Sequence, residues 1–233
     1  MINLCDRGYQ HERFAATDSS MQTRMIVAII GHRDLSPLHV ARYRLQCKEA
    51  LQALQRRHPR RTLEVMSTLA PGAERIGAEV SLSLGLRLIV LLPPDLVTDP
   101  TESPQSLAEY RDLLLQIPIQ NFQIPAPDTH GDDSARTSAG LTRLIVMESQ
   151  VLLAMWDGEK SRTPGDTAEL IDIKRRPAAH DLAESIDGPV LHIRAICSAS
   201  HQPQAFSVPE WLYPYDTLAP VTIERRKRNS VVV

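Results

Sequence analysis

Met25-Ile26-Val27-Ala28-Ile29-Ile30-Gly31-His32-Arg33-Asp34 decides the fold. Six apolar residues run without alternation, stop at a glycine and give way to polar side chains. An unbroken apolar run of strand length marks a strand buried on both faces, as in a parallel sheet. Leu63–Thr68, Leu86–Leu92, Val151–Met155 and Pro189–Ile193 carry the same signature. Helical stretches separate them. Ser36-Pro37 reads as a helix start, with Ser36 as the cap and Pro37 in the first turn. That helix extends to about Arg57, with Val40, Tyr43, Cys47, Ala50, Leu51 and Leu54 inward and Arg42, Arg44, Lys48, Arg56 and Arg57 toward solvent. Pro71-Gly72-Ala73 opens a second helix that carries Ile76, Val80 and Leu84 and stops at Gly85. Ala135–Ser149 and Thr167–Arg175 supply two more. Alternating strands and helices require right-handed crossovers and a parallel sheet. The expected class is therefore α/β, a Rossmann-like doubly wound sheet of five or more mostly parallel strands with helices on both faces.

Around this frame the chain divides into a flexible N-terminal arm over residues 1–24, a ligand-binding domain over 25–196 and an irregular tail over 197–233. Within the domain, residues 93–134 break the rhythm with many prolines and one helix, Ser106–Gln116. A connection of that length inside a compact domain reads as a lid or insertion. The tail holds Arg225-Arg226-Lys227-Arg228 before three terminal valines, a solvated end or a contact for acidic lipid or a partner.

Composition excludes several classes. The 233 residues are 42% hydrophobic and 23% charged with a net charge of −2, so no basic excess points to nucleic acid. Aromatic residues make up only 4%, which argues against stacking platforms. Cys5, Cys47 and Cys197 form no CxxC pair, against a disulfide framework or zinc site. No secretory signal and no apolar run of membrane length is visible, so the expected location is the cytoplasm.

Three strands end on turns suited to an anion, and ligands of open α/β sheets bind in the crevice outside the carboxyl ends of the strands. Gly31 lets backbone N–H groups approach a ligand; His32 and Arg33 add donors; Asp34 offers an acceptor for a ribose hydroxyl or caps the next helix. The spacing is not GxGxxG, so the dinucleotide fingerprint is absent. Pro71, Gly72 and Ala73 place small residues at a helix N-terminus, where free N–H groups favour an anion. Glu74 accepts from sugar hydroxyls or balances the helix dipole; Arg75 pairs with phosphate or with Glu79. Trp156 stacks on a base or packs in the core, and Asp157-Gly158 is followed by Gly165, Asp166 and Thr167 at another helix start.

Gly31-His32-Arg33-Asp34-Leu35, Leu69-Ala70-Pro71-Gly72-Ala73-Glu74-Arg75 with Ala78-Glu79, Leu91-Leu92-Pro93, and Val151–Gly158 with Pro164-Gly165-Asp166-Thr167-Ala168-Glu169 together resemble the SLOG superfamily, which joins DprA-type and LOG-type proteins with bacterial nucleotide-sensor domains. The resemblance spans residues 25–194. It implies binding of a nucleotide or NAD-derived molecule such as an ADP-ribose-type ligand, no required cofactor or metal, self-association into a homo-oligomer, an effector or membrane-associated partner, and a role in bacterial signalling or defence. The LOG branch cleaves the N-glycosidic bond of nucleoside monophosphates with the signature PGGxGTxxE. Here Asp166 replaces the glycine before threonine, and Leu170 stands where the catalytic glutamate belongs. Glu169 falls one residue early, about 100° around a helix. Arg143 is the nearest arginine on the preceding helix. Hydrolysis needs an acid within hydrogen-bond reach of the scissile bond. The leading expectation is thus a non-catalytic sensor of a nucleotide-type small molecule with no specific nucleic-acid partner. A phosphoribohydrolase using Glu74, Glu169 and Arg143 is one alternative, and an interaction scaffold is the other.

Overall fold

The computed structural model of the chain describes residues 23–92, 103–123, 138–159, 166–176, 188–196 and 208–212. Strand β1 (Arg24–Gly31) stands inside a seven-stranded sheet. On one side lie β2 (Thr62–Ser67), β3 (Arg87–Leu91) and the two-residue β4 (Phe122–Gln123). On the other lie β5 (Val151–Trp156), β6 (Val190–Arg194) and β7 (Glu210–Leu212). Every pair is parallel except β6 with β7. The chain thus builds outward from β1 to β4, then returns to start again at β5 against β1. That return creates a switch point where β1 and β5 diverge in connection, and Gly31 sits level with Met155 there.

Two cores cover the two faces. Helices α1 (Val40–Arg57) and α2 (Ala73–Ser83) press Tyr43, Cys47, Leu51, Leu54, Ile76 and Val80 onto Val27, Ile29, Val65, Val90 and Leu153. Helices α4 (Ser138–Glu148) and α5 (Thr167–Arg175) press Leu141, Ile145, Val146, Leu170 and Ile171 onto Ala28, Ile30, Ile89 and Leu152. Successive side chains of a strand point to opposite faces, so the unbroken apolar runs feed both cores. Burying each large aliphatic side chain contributes roughly 1.5–3 kcal/mol relative to exposure. Helix α3 (Pro104–Gln116) leans Tyr110 and Leu114 against the first core. Burial pushes the Cys47 thiol up to about 12, so it is an inert packing group. The α/β, mostly parallel, two-faced architecture is the expected one.

Local differences have local causes. Ser36 makes no side-chain cap; Pro37–His39 form a 3-10 turn and α1 begins at Val40. The Ser36 N–H instead donates to the Ile196 carbonyl at 2.9 Å, tying this turn to the end of β6. Helix α3 starts two residues before the expected Ser106, because Ser103 accepts from the Ser106 N–H and Pro104 occupies the first turn. Strands β4 and β7 are additions: both are too short to carry an apolar run, and β7 falls inside the stretch expected to be irregular. Residues 1–22 of the arm, most of the expected lid outside 103–123, and the basic run 225–228 lie outside the described residues.

Candidate functional site at the switch point

His32 gathers the carboxyl edge of the sheet into one place. Its N–H donates to the Met155 carbonyl on β5 at 3.0 Å, and its carbonyl accepts from the Ala73 N–H of α2 at 3.1 Å. Its ring Nε2 accepts from the Asp157 N–H at 3.2 Å and lies 3.3 Å from Asp157 Oδ1. A neutral ring accepting through Nε2 carries its proton on Nδ1; a protonated ring would turn the same edge toward the carboxylate. The β1, β2 and β5 turns therefore meet at one residue. Gly31 permits this closeness, since a Cβ there would strike the Met155 carbonyl and the Ala73 methyl. Arg33 and Asp34 follow as exposed residues at the mouth, while Asp157 is half-buried and Gly158 exposed.

The turn after β2 is already filled, by the protein's own carboxyl group. Oε2 of buried Glu74 accepts from the Thr68 N–H at 2.8 Å, the Thr68 hydroxyl at 2.6 Å, the Ser67 hydroxyl at 3.2 Å and the Ala70 N–H at 3.4 Å. Desolvation raises its pKa above the usual carboxylate value, with those hydrogen bonds opposing the rise. The turn also places buried Leu69 at φ 59° and Gly72 at φ 79°. A Cβ on Gly72 would overlap the His32 and Arg33 carbonyl oxygens, so this glycine lets the α2 N-terminus abut the β1 turn. Pro71 and Ala73 complete the same packed corner. The N–H groups of Thr68, Ala70 and Ala73 thus bond within the protein.

Of the two partners considered for Arg75, phosphate and Glu79, the helical pairing with Glu79 does not form. Glu79 instead binds Arg44 of α1 at 2.6 Å. The buried Arg75 guanidinium donates to the Leu69 carbonyl at 3.0 Å and to the Ser106 carbonyl and hydroxyl at 2.8 and 2.6 Å. It also lies 5.5 Å from the Tyr110 ring centre. Arg75 therefore fastens α3 of the 93–134 segment to the β2 turn.

At the end of β5, Trp156 is half-buried against the second core, with its ring 5.3 Å from that of His192. His192 was not singled out from the sequence, although a lone polar residue in an apolar strand was the available signal. Its Nε2 donates to the Trp156 carbonyl at 2.9 Å, and its Nδ1 sits 3.1 Å from Glu210 of β7. Asp166 caps α5 by accepting from the Glu169 N–H at 3.0 Å, with Thr167 next at the first helical position. Leu170, at the position where the hydrolase branch places its glutamate, is buried in the second core. Arg143 is exposed on α4 and has no hydrogen bond or ion pair with another described residue. Gly165 lies outside the described residues. Among the described residues there is no cluster of three metal-ligating side chains, and no helix is long and apolar enough to cross a membrane.

No protein-family model matches this chain, and no curated protein does. Solved structures of DNA processing protein A do match. The protein from Helicobacter pylori, described for its single-stranded DNA binding mode, is 22% identical over 73% of each chain, with a TM-score of 0.40. The protein from Streptococcus pneumoniae is 14% identical with a TM-score of 0.39; the match covers 70% of this chain and 53% of that one. This corrects the expectation that excluded nucleic acid as a partner. A neighbour in fold is described by its DNA binding, and a whole-chain charge of −2 is a sum that says nothing about local patches.

Proposed function

We propose that this chain is a SLOG-type sensor domain that binds a nucleotide or NAD-derived ligand, through its phosphorylated ribose, at the switch point between β1 and β5. The observation that carries this reading is the meeting of three strand-end turns at His32. Open α/β sheets bind ligands where their strand order reverses. Gly31, His32, Arg33 and Asp34 form one wall, and Trp156, Asp157 and Gly158 form the other, with Asp166 and Thr167 at the start of α5. Because Glu74 fills the β2 turn, Pro71, Gly72, Ala73 and Arg75 act here as the scaffold of the first wall. Burial of Leu170 favours sensing over hydrolysis, since that position turns into the core and offers no acid to a glycosidic bond.

A thermal-shift panel of nucleoside monophosphates, cyclic nucleotides, ADP-ribose and NAD tests the reading, followed by chromatography of the mixture. A ligand at 100 times its Kd adds about 2.7 kcal/mol of stability. The expected result is a saturable shift with the ligand recovered intact. Released base or nicotinamide rejects pure sensing, and a flat panel favours the scaffold.

A further inference from the structure

Among the described strands β7 alone runs antiparallel to its neighbour, and it sets Glu210 directly opposite His192 of β6. The His192 side chain is 7% exposed and that of Glu210 is 61% exposed. Among the described residues the ring has two polar partners. The Trp156 carbonyl lies 2.9 Å from Nε2, and the Glu210 carboxyl group lies 3.1 Å from Nδ1. Strand β7 holds besides through its backbone pairing and through Trp211 and Leu212, which lean on the first and second cores.

A carbonyl oxygen only accepts, so Nε2 must carry a proton. An ionised carboxylate only accepts as well, so Nδ1 bonds to it only when that nitrogen is protonated too. A neutral ring has one N–H and serves one side. The contact is therefore complete only while the pair holds a second proton, as imidazolium beside carboxylate or as neutral ring beside carboxylic acid. Such a proton belongs to the pair. When it leaves, a nitrogen lone pair faces a carboxylate across 3.1 Å. The exposed Glu210 turns to water, whereas the buried Nδ1 is left an unmet acceptor. We propose that His192 and Glu210 form a proton-operated latch, which fastens β7 to β6 while the shared proton is held and loosens it when the proton leaves.

The other charged groups around β6 do not take Glu210's place. Arg194, two residues along β6 on the same face, is exposed and opposes a charge on the ring. Asp157, just beyond β5, is engaged by His32. Helix α5, packed on β5 and β6, carries Glu169, Asp172, Lys174 and Arg175, and Lys174 donates to the Val146 and Ser149 carbonyls at the end of α4. Helix α1 covers the other face of β6 with Tyr43 and Cys47, its charged residues exposed. None of these bonds to the His192 ring. The latch needs no ligand at the switch point, so its failure leaves the proposed function untouched.

Hydrogen exchange of the full chain, read by mass spectrometry and corrected to protection factors, measures how often β7 opens. Peptides covering 190–194 and 208–212 report the latch, and β1 amides report global unfolding. Histidine side chains ordinarily change charge between pH 5 and 8, which sets the range to scan. Wild-type protection of β7 should fall roughly fivefold from pH 6 to pH 8, the scale of a cross-strand charged pair. Glu210→Gln supplies a neutral ring with the missing donor, since its amide N–H reaches Nδ1 while Nε2–H stays on Trp156; its protection at pH 8 should stay within about twofold of that at pH 6. Glu210→Ala removes the latch and should be as loose at pH 6 as wild type is at pH 8. Both substitutions fall on an exposed side chain, and circular dichroism confirms folding. Wild-type protection that ignores pH overturns the proposal, as does an equal fall in Glu210→Gln, a tight Glu210→Ala at pH 6, or a fall matched in β1.

Discussion

Two corners of the carboxyl edge look alike in sequence and differ in what they do. At the β2 corner, Glu74 is enclosed, takes four hydrogen bonds from its own turn and leaves those N–H groups to no visitor. At the β1–β5 corner, Asp157 is half-buried, among the described residues contacts one edge of the His32 ring and its own turn, and lies beside the exposed Arg33 and Asp34. Small residues after a strand do not by themselves make an anion site. What matters is whether the protein supplies a carboxylate that reaches the turn first.

Perturbing each corner separates these roles. The largest effect is expected at the closed one. Glu74→Ala strands several buried donors and should destabilise the fold by about 3 kcal/mol, seen as a lower midpoint in urea unfolding. Gly72→Val forces a branched side chain onto the His32 and Arg33 carbonyls at positive φ and should cost about as much. At the open corner, His32→Ala or Asp157→Ala should change stability by less than about 1 kcal/mol. The same variants should weaken the best nucleotide of the panel about tenfold by calorimetry, a loss of about 1.4 kcal/mol. If they unfold the protein while Glu74→Ala does not, the two corners have been assigned the wrong way round.

Acidity sharpens the contrast further. A carboxyl raised in the folded state contributes its stability in full below its unfolded value, 4.5, and loses it as pH climbs through the folded value. Comparing wild type with Glu74→Gln by urea unfolding, the margin favouring wild type should narrow from pH 4.5 toward pH 8. The smallest effect belongs to the α1–α2 surface. Arg44→Ala removes a half-exposed pair with Glu79 and should shift stability by only about 0.2–1 kcal/mol in thermal melts.

The parts of the molecule legible in the sequence are those set by local pattern. Apolar runs such as Ile26–Ile30 and Val151–Met155 require burial on both faces, and that alone fixed a parallel, two-core sheet. Gly85 at φ 66° and Asp166 as a cap were visible because each satisfies a helix end with its own side chain or lack of one. The partners of Glu74, Arg75 and Arg44 were not visible, because charged side chains choose among neighbours that only the tertiary fold brings near. Arg75 had Glu79 available one turn away and bonded instead to Ser106, 31 residues on. Strands β4 and β7 escaped notice for another reason: they hold on by edge pairing, with too few residues to show a period.

The most direct measurement is a crystal structure of the protein grown with whichever nucleotide shifts its melting temperature most. The expected density lies between Gly31–Asp34 and Trp156–Gly158, against His32 and Asp157, with Glu74 still bonded to Thr68. A nucleotide phosphate seated on the Thr68 and Ala70 N–H groups with Glu74 displaced, or density confined to the opposite edge, contradicts it.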